Sequence, residues 1–259
     1  VKAFQNENYS GAFRNFKYAV KVSEMPVFEN KTDTAIMFNA GIAAQNMQDW
    51  NKAAKYYQMA ADHGYGGART YLLLKNAYIQ AGDTAKAVGV LKKGFEKFPG
   101  NENLVASLIN HYLLETNNPK QALDYIERAK EEHPENAQYY AAEGQIYDQM
   151  EEYDKAKELY KQALEYDPKL HMALYNLGVL YYNEGVELVT KANKTKDDEE
   201  YERLRQQAND IFKKSLPYME RANKIRPNDK KVLATLKTLY YRLRTENEEY
   251  RSKYDQISK

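Results

Sequence analysis

A triad of small, bulky and small residues recurs along this chain at a nearly fixed interval. It reads Ala12/Phe16/Ala19, Ala53/Tyr57/Ala60, Ala87/Leu91/Gly94, Ala122/Ile126/Ala129 and Ala156/Tyr160/Ala163, with a degraded copy at Ser215/Met219/Ala222. From Ala53 to Ala156 the steps are 34, 35 and 34 residues. Prolines follow at Pro99, Pro134, Pro168 and Pro227, each twelve residues past the first small residue of its copy. A second periodic block lies upstream of the triad: Leu174, Leu177, Gly178 and Tyr181 in one copy, Tyr140, Gly144 and Tyr147 in another, Tyr71, Leu74 and Tyr78 in a third. Apolar spacings of three and four dominate, and alternating β-branched runs are missing, so the chain reads as all helix. Repetition at such an interval means helix pairs that bury their apolar faces only by stacking on their neighbours.

The small residues have a mechanical reason. Two antiparallel helices approach closely only where side-chain bulk is absent at the crossing. Ala156 and Gly144 are expected to let the helices of one pair nest, and Ala163 to make room for the next pair. Tyr153 and Tyr160, seven apart, are expected to fill the space around those contacts. Pro168 ends the second helix because it lacks an amide donor and clashes with the preceding turn.

With both blocks in place, the chain resembles the tetratricopeptide repeat family, whose first helix carries a W-x2-L-G-x2-Y-like pattern and whose second carries A-x3-F and a closing proline. The resemblance spans nearly the whole length and implies a right-handed α-solenoid of stacked helix-turn-helix units with a C-terminal capping helix. The expected bounds are a partial unit at 1–33, units at 34–67, 68–102, 103–136 and 137–170, an enlarged unit at 171–229 and a cap at 230–259. Val1 to Asn6 read as the last turns of an incomplete first helix. With no initiator methionine, the native protein is expected to extend upstream, through a segment such as a removed signal peptide.

Two places depart from the repeat. His63-Gly64-Tyr65-Gly66-Gly67 replaces the proline turn. No Lys-Ser/Thr follows it and no strand precedes it, so it reads as a tight turn using glycine's tolerance of positive φ, not as a phosphate loop. Between Glu184 and Phe212 about 25 extra residues appear, apolar at Val186 and Val189, broken around 193–196, and apolar again at Tyr201, Leu204, Ala208 and Ile211. This predicts two helices each lengthened by roughly three turns, about 15 Å. Thr195-x-x-Asp198 is the expected start of the second, and Pro217 is expected to kink it. The hairpin reads as a docking or dimerisation element or, with somewhat more weight, as a tolerated insertion.

Composition narrows the function. The net charge of +1 gives no global pull towards nucleic acid or lipid, and no apolar run reaches the length of a membrane span. The absence of cysteine removes disulfides, thiolate metal sites and cysteine nucleophiles, and suits an exported, periplasmic protein better than a cytoplasmic one. His63, His111, His133 and His171 are scattered without paired spacing for a metal. No G-x-S-x-G occurs, and carboxylate runs such as Glu151-Glu152 fall at helix starts, where they complement the dipole. The expectation is a non-catalytic protein without cofactor or metal.

Binding is expected instead on the inner face of the first helices. The stripe opposite the packing residues carries Phe38, Asn39, Ile42 and Asn46; Arg69, Leu72, Leu73, Asn76 and Gln80; Ser107, Leu108, His111 and Glu115; Gln138, Ala141, Gln145 and Gln149; and Tyr175, Asn176, Val179 and Asn183. Amides both donate and accept, so a ladder of them can hold an extended peptide without demanding one sequence. The site set read from this stripe is Asn39, Asn46, Arg69, Asn76, Gln80, His111, Gln138, Gln145, Gln149, Tyr175, Asn176 and Asn183. The family resemblance implies a sharper test, since some relatives grip a partner's C-terminal carboxylates with Lys, Asn and Arg on successive units. Asn39 and Arg69 occupy two such places, but Leu73 stands where Arg would, so that clamp is not intact.

Charge is also uneven. Residues 131–160 carry nine acidic and two basic side chains, whereas residues 221–244 carry eight basic and one acidic. Such a dipole can orient an oppositely charged partner. Nucleic-acid binding at 221–244 is not expected, because no recognised module accompanies the patch. The reading is a protein-interaction scaffold for a protein or peptide partner. The alternatives are self-assembly through the 186–212 hairpin and the regulatory portion of a larger enzyme. If Ala156 marks a helix crossing, replacing it with Leu overpacks the contact and costs about 1–3 kcal/mol. The Ala156→Leu variant should melt at a lower temperature; an unchanged melting temperature would place the crossing elsewhere.

Overall fold

The computed structural model describes residues 8–23 and 33–258, and the expected partial helix at Val1 to Asn6 lies outside them. Among the described residues every regular element is helical. They fall into two compact units, one ending at His133 and the other beginning at Pro134.

The N-terminal unit holds α1 (Tyr9–Ser23), α2 (Thr34–Asn46), α3 (Trp50–Asp62), α4 (Gly67–Gln80), α5 (Thr84–Lys97), α6 (Glu102–Asn110) and α7 (Pro119–Glu132). Asp33, Asp49, Asp83, Asn101 and Asn118 cap α2, α3, α5, α6 and α7 by accepting backbone N–H bonds. The helices then cross at points without bulk. Gly41 of α2 faces the Tyr57 ring so closely that a Cβ there would sit 2.6 Å from it. Ala53, Tyr57 and Ala60 are fully buried on α3. In the next pair the notch is reversed, with Gly94 of α5 facing Tyr71 of α4. The glycine cluster before α4 is a tight turn as expected, with Gly64 and Gly66 at φ 72° and 75° and the Thr70 hydroxyl donating to the Tyr65 carbonyl at 2.6 Å.

Turns inside the pairs share one device. Gln48, Asn117 and Glu151 each take a left-handed φ immediately before the residue that caps the next helix. The amides of Asp49 and Glu152 reach back to the carbonyls of Ala44 and Tyr147 at 3.0 and 2.9 Å, closing the end of the first helix.

One pair differs. After α6 the chain makes a π-turn over His111–Glu115. One residue more separates the caps Asn101 and Asn118 than separates Asn136 from Glu152. A π-turn absorbs a single inserted residue within a helix, and this one lies within the 35-residue step between Ala87 and Ala122. It also turns Tyr112 inward to stack on Tyr125, with ring centroids 5.5 Å apart.

The C-terminal unit holds α8 (Ala137–Gln149), α9 (Tyr153–Tyr166), α10 (His171–Ala192), α11 (Asp198–Ile225), α12 (Lys230–Leu243) and α13 (Glu248–Ile257). Gly144 of α8 receives the Tyr160 ring of α9 so closely that a Cβ there would sit 2.9 Å from it, and Ala156 and Ala163 are fully buried. Tyr160 is buried as expected, but Tyr153 is 44% exposed. As the first residue of α9 it lies at the end of the pair, beyond the crossing.

The long hairpin extends the same packing. Gly178 faces Met219 and, two turns further on, Gly185 faces Phe212. Val189, Ala192, Leu204 and Ala208 continue the buried seam. At the degraded triad Ser215 replaces alanine, and its hydroxyl donates to the Gly178 carbonyl at 2.6 Å, so the buried polar group is satisfied. The lengthening is unequal: α10 has 22 residues and α11 has 28, against 13 and 14 in α8 and α9. That is about two and a half extra turns in one and four in the other. The second helix begins later than Thr195 suggested, because Asp197 is its cap and accepts from the Glu200 amide, while the Thr195 hydroxyl accepts from the Asp197 amide. Helix α11 runs through Pro217, whose side chain is exposed.

Residues 230–258 supply two helices. Val232, Leu236, Leu239, Tyr240 and Leu243 of α12 are buried, whereas α13 has no buried residue and forms the polar outer layer. Lys253 fastens it, bonding Glu220 and Glu249 at 2.8 Å each, while the Tyr240 hydroxyl donates to Glu220 at 2.7 Å.

Candidate functional site

Amphipathic stacking leaves the polar stripe of each first helix unpaired with the core, and the residues expected there divide into three groups. Some are exposed: Asn46, Arg69, Asn76, Gln80, Gln138, Gln145, Gln149 and Asn183. Asn39, His111, Tyr175 and Asn176 are half-buried. Three of the other stripe residues, Phe38, Leu108 and Ala141, are buried in the core and do not face a groove. Leu108 and Ala141 are fully enclosed because an apolar stripe wider than the crossing is needed where a helix packs on both sides.

Several polar groups are already engaged. The Asn46 amide donates to the Ile42 carbonyl of its own helix at 2.9 Å. The Asn176 amide donates to the Tyr160 hydroxyl at 3.2 Å, which makes it part of the interior. His111 pairs with Glu115 at 2.7 Å within the π-turn. The Arg69 guanidinium lies over the Phe38 ring, 5.6 Å from its centroid. Asn76, Gln80, Gln145 and Asn183 have no such internal use among the described contacts.

In the N-terminal unit, Asn76 and Gln80 of α4 come together with Gln45, Trp50 and Ile79 around an open cleft of about 530 Å³. Gln45 is held by the Tyr57 hydroxyl, which donates to its Oε1 at 2.8 Å. In the C-terminal unit, Asn183 of α10 lines a larger pocket of about 730 Å³ between the α8–α9 turn and the start of the lengthened hairpin. Tyr153, Leu180 and Val186 form its apolar part. Trp50 and Tyr153 stand at the same distance before Ala53 and Ala156, and Gln80 and Asn183 at the same distance after them. The two pockets thus share two equivalent repeat positions, Trp50 with Tyr153 and Gln80 with Asn183.

Gln45, Trp50, Ile79, Tyr153, Leu180 and Val186 were not among the expected site residues. The signal that could have found them is this alignment on the packing alanines, which places an aromatic residue at the first position of α3 and of α9.

Asp148 occupies in α8 the place of Gln45 in α2. Burial holds its carboxyl above the ordinary aspartate range. Burial first, and the Asp148 charge second, push the Tyr160 hydroxyl up. Of the basic residues in 221–244, Arg221 donates to the Pro168 carbonyl at 2.6 Å, Arg242 lies over Phe212, and Arg244 bonds the Tyr241 carbonyl. Part of that charge is thus spent inside the unit. Among the described residues no group of three or more His, Asp or Glu could hold a metal ion, and no helix is long and apolar enough to cross a membrane.

Tetratricopeptide-repeat profiles match residues 35–63 and 78–146, and a further TPR-repeat profile matches 134–185. The chain belongs to the tetratricopeptide repeat family. No curated protein matches it. Among solved structures, a TPR repeat protein from Bacteroides fragilis is 26% identical, covering 92% of this chain and 93% of its own, with a TM-score of 0.42. The C-terminal part of a TPR repeat-containing protein from Cytophaga hutchinsonii is 14% identical over 96% of each chain, with a TM-score of 0.53. YrrB, described as a TPR protein with an unusual peptide-binding site, is 21% identical over 85% of this chain and 96% of its own, with a TM-score of 0.51. The last two likenesses are of fold.

The Asp148 environment predicts a pH effect of definite sign. A carboxyl whose folded pKa is raised penalises folding above that pKa, and the penalty is absent below the unfolded value of about 3.9. Asp148→Asn should therefore raise stability to urea at pH 7 and leave it unchanged near pH 3; equal effects at both would remove ionisation from the explanation.

Proposed function

We propose that this chain is a non-catalytic scaffold that holds a protein or peptide segment on the exposed amides of its first helices. The observation that carries the reading is the convergence of Asn76, Gln80 and Gln45 beside Trp50 and Ile79, and its repetition at Asn183 and Tyr153. An aromatic ring supplies contact area at low entropic cost, and neighbouring amides pair with the donors and acceptors of an extended backbone. Membership of a repeat family whose members commonly bind proteins supports the same reading, while the fold by itself names no partner.

Self-assembly through residues 186–212 is the weaker use of the molecule. Four apolar residues of that hairpin, Val189, Ala192, Leu204 and Ala208, are buried between its own two helices, and Val186, Leu188, Tyr201 and Ile211 are half-buried, which leaves no fully exposed apolar face among them to drive association.

Affinity capture tests the proposal with the wild-type chain beside an Asn76→Ala, Gln80→Ala, Gln145→Ala variant. All three side chains are exposed, so the variant should fold and should lose or weaken its partners several-fold. A partner list of equal composition and yield for both proteins would remove the amide row from the account.

A further inference from the structure

The two pockets differ in chemistry. That at Trp50 is lined by neutral side chains. The one at Tyr153 has Glu151, Glu152, Asp154, Glu184 and Glu187 on its walls, against Lys155 and Lys157. Lys157 is committed to Asp154 and Glu184, at 2.9 and 3.0 Å. Lys155 is drawn over the Tyr147 ring, 3.8 Å from its centroid. Glu151, Glu152 and Glu187 are left without an ion pair among the described residues. Glu151 and Glu187 are near enough, with Asp148, to push the Tyr153 hydroxyl up, after the effect of burial.

Tyr153 is thus 44% exposed, beside Leu180 and Val186 and near the Glu151 and Glu187 carboxylates, which have no ion pair among the described residues. We infer that this pocket takes a cationic side chain, an arginine above all, from a bound peptide segment. The guanidinium is flat and weakly hydrated, so it can stack on Tyr153 while its N–H groups reach the carboxylates. The aliphatic stem covers Val186, as long basic side chains do on apolar surface. Charge complementarity selects this occupant over an acidic or phosphorylated segment, which the same carboxylates repel. The inference rests on the scaffold reading and adds the residue class that one pocket selects.

The probe is an acetylated and amidated Gly-Leu-Arg-Leu-Gly peptide, beside the same peptide with citrulline, which keeps the shape and removes the charge. Titration into the labelled full chain is followed by NMR up to millimolar peptide. The arginine peptide should shift the amides of Tyr153, Leu180, Val186 and Glu187, more strongly at low salt. The citrulline peptide should bind about tenfold more weakly, and so should the arginine peptide to a Glu151→Gln, Glu187→Gln variant. Glutamine is tolerated at the strained turn position, since Gln48 occupies it in the N-terminal unit at φ 58°. Equal binding of the two peptides, undiminished binding by the variant, shifts at Trp50 in place of Tyr153, or no shift at all would overturn the inference. Concentration-dependent shifts without peptide would do the same and make a second copy of the chain the occupant. Capture that still depends on Asn76, Gln80 and Gln145 would leave the scaffold reading standing after such a failure.

Discussion

A bulky side chain seated in a glycine notch joins the helices of four pairs, α2 with α3, α4 with α5, α8 with α9 and α10 with α11. Tyr57 against Gly41 and Tyr160 against Gly144 show it in two copies, one in each compact unit. With no Cβ on the glycine, the two backbones approach to the width of the ring, and the alanines on either side of the tyrosine complete the seam. The device is local in sequence and repeats, so neighbouring pairs can be built from the same parts. Stability then accumulates pair by pair. In the hairpin of α10 and α11 the notch occurs twice, with Met219 and then Phe212 as the bulky partner. The extension is a longer run of the same contact and not a foreign insertion.

Much of this was legible from residue spacing because packing in a repeat is a matter of period. Ala53, Ala122, Ala156 and Ala163 are fully buried, as their recurrence implied. What spacing missed has physical reasons. Nothing in the letters around His111 marks a π-turn, which depends on where one surplus residue can be absorbed without moving the crossing. Tyr153 shares a face with Tyr160 on a helical wheel, yet a wheel takes no account of where a helix ends. Thr195 and Asp197 are both good cap residues, and the choice between them depends on the length of the loop that closes the hairpin.

The stripe expected to bind was the least legible part. A helical wheel assigns Asn176 and Asn183 to the same row, but the hydroxyl of Tyr160 claims the first and leaves the second beside a pocket. Leu108 and Ala141 fall on the polar row by angle and in the core by contact, because these helices pack on more than one neighbour. The small scaffold residues are nearly constant between copies, and the bulky one between them varies only among large apolar and aromatic side chains. At the pocket positions Trp50 gives way to Tyr153 and Gln80 to Asn183, and carboxylates surround the second pocket alone. Variation at fixed geometry lets one architecture present different chemistry along its length, so function here belongs to the pockets and not to the fold.

The notch itself can be measured by a double-mutant cycle of Gly144→Ala and Tyr160→Leu, with stability read from urea unfolding. Alone, the new methyl group collides with the ring and should cost about 1–3 kcal/mol. Once leucine has replaced the ring, the same methyl group should cost little or favour the helix. A coupling of about 1 kcal/mol or more is the predicted result. Strict additivity of the two substitutions would contradict the account, since it would mean that ring and glycine do not meet.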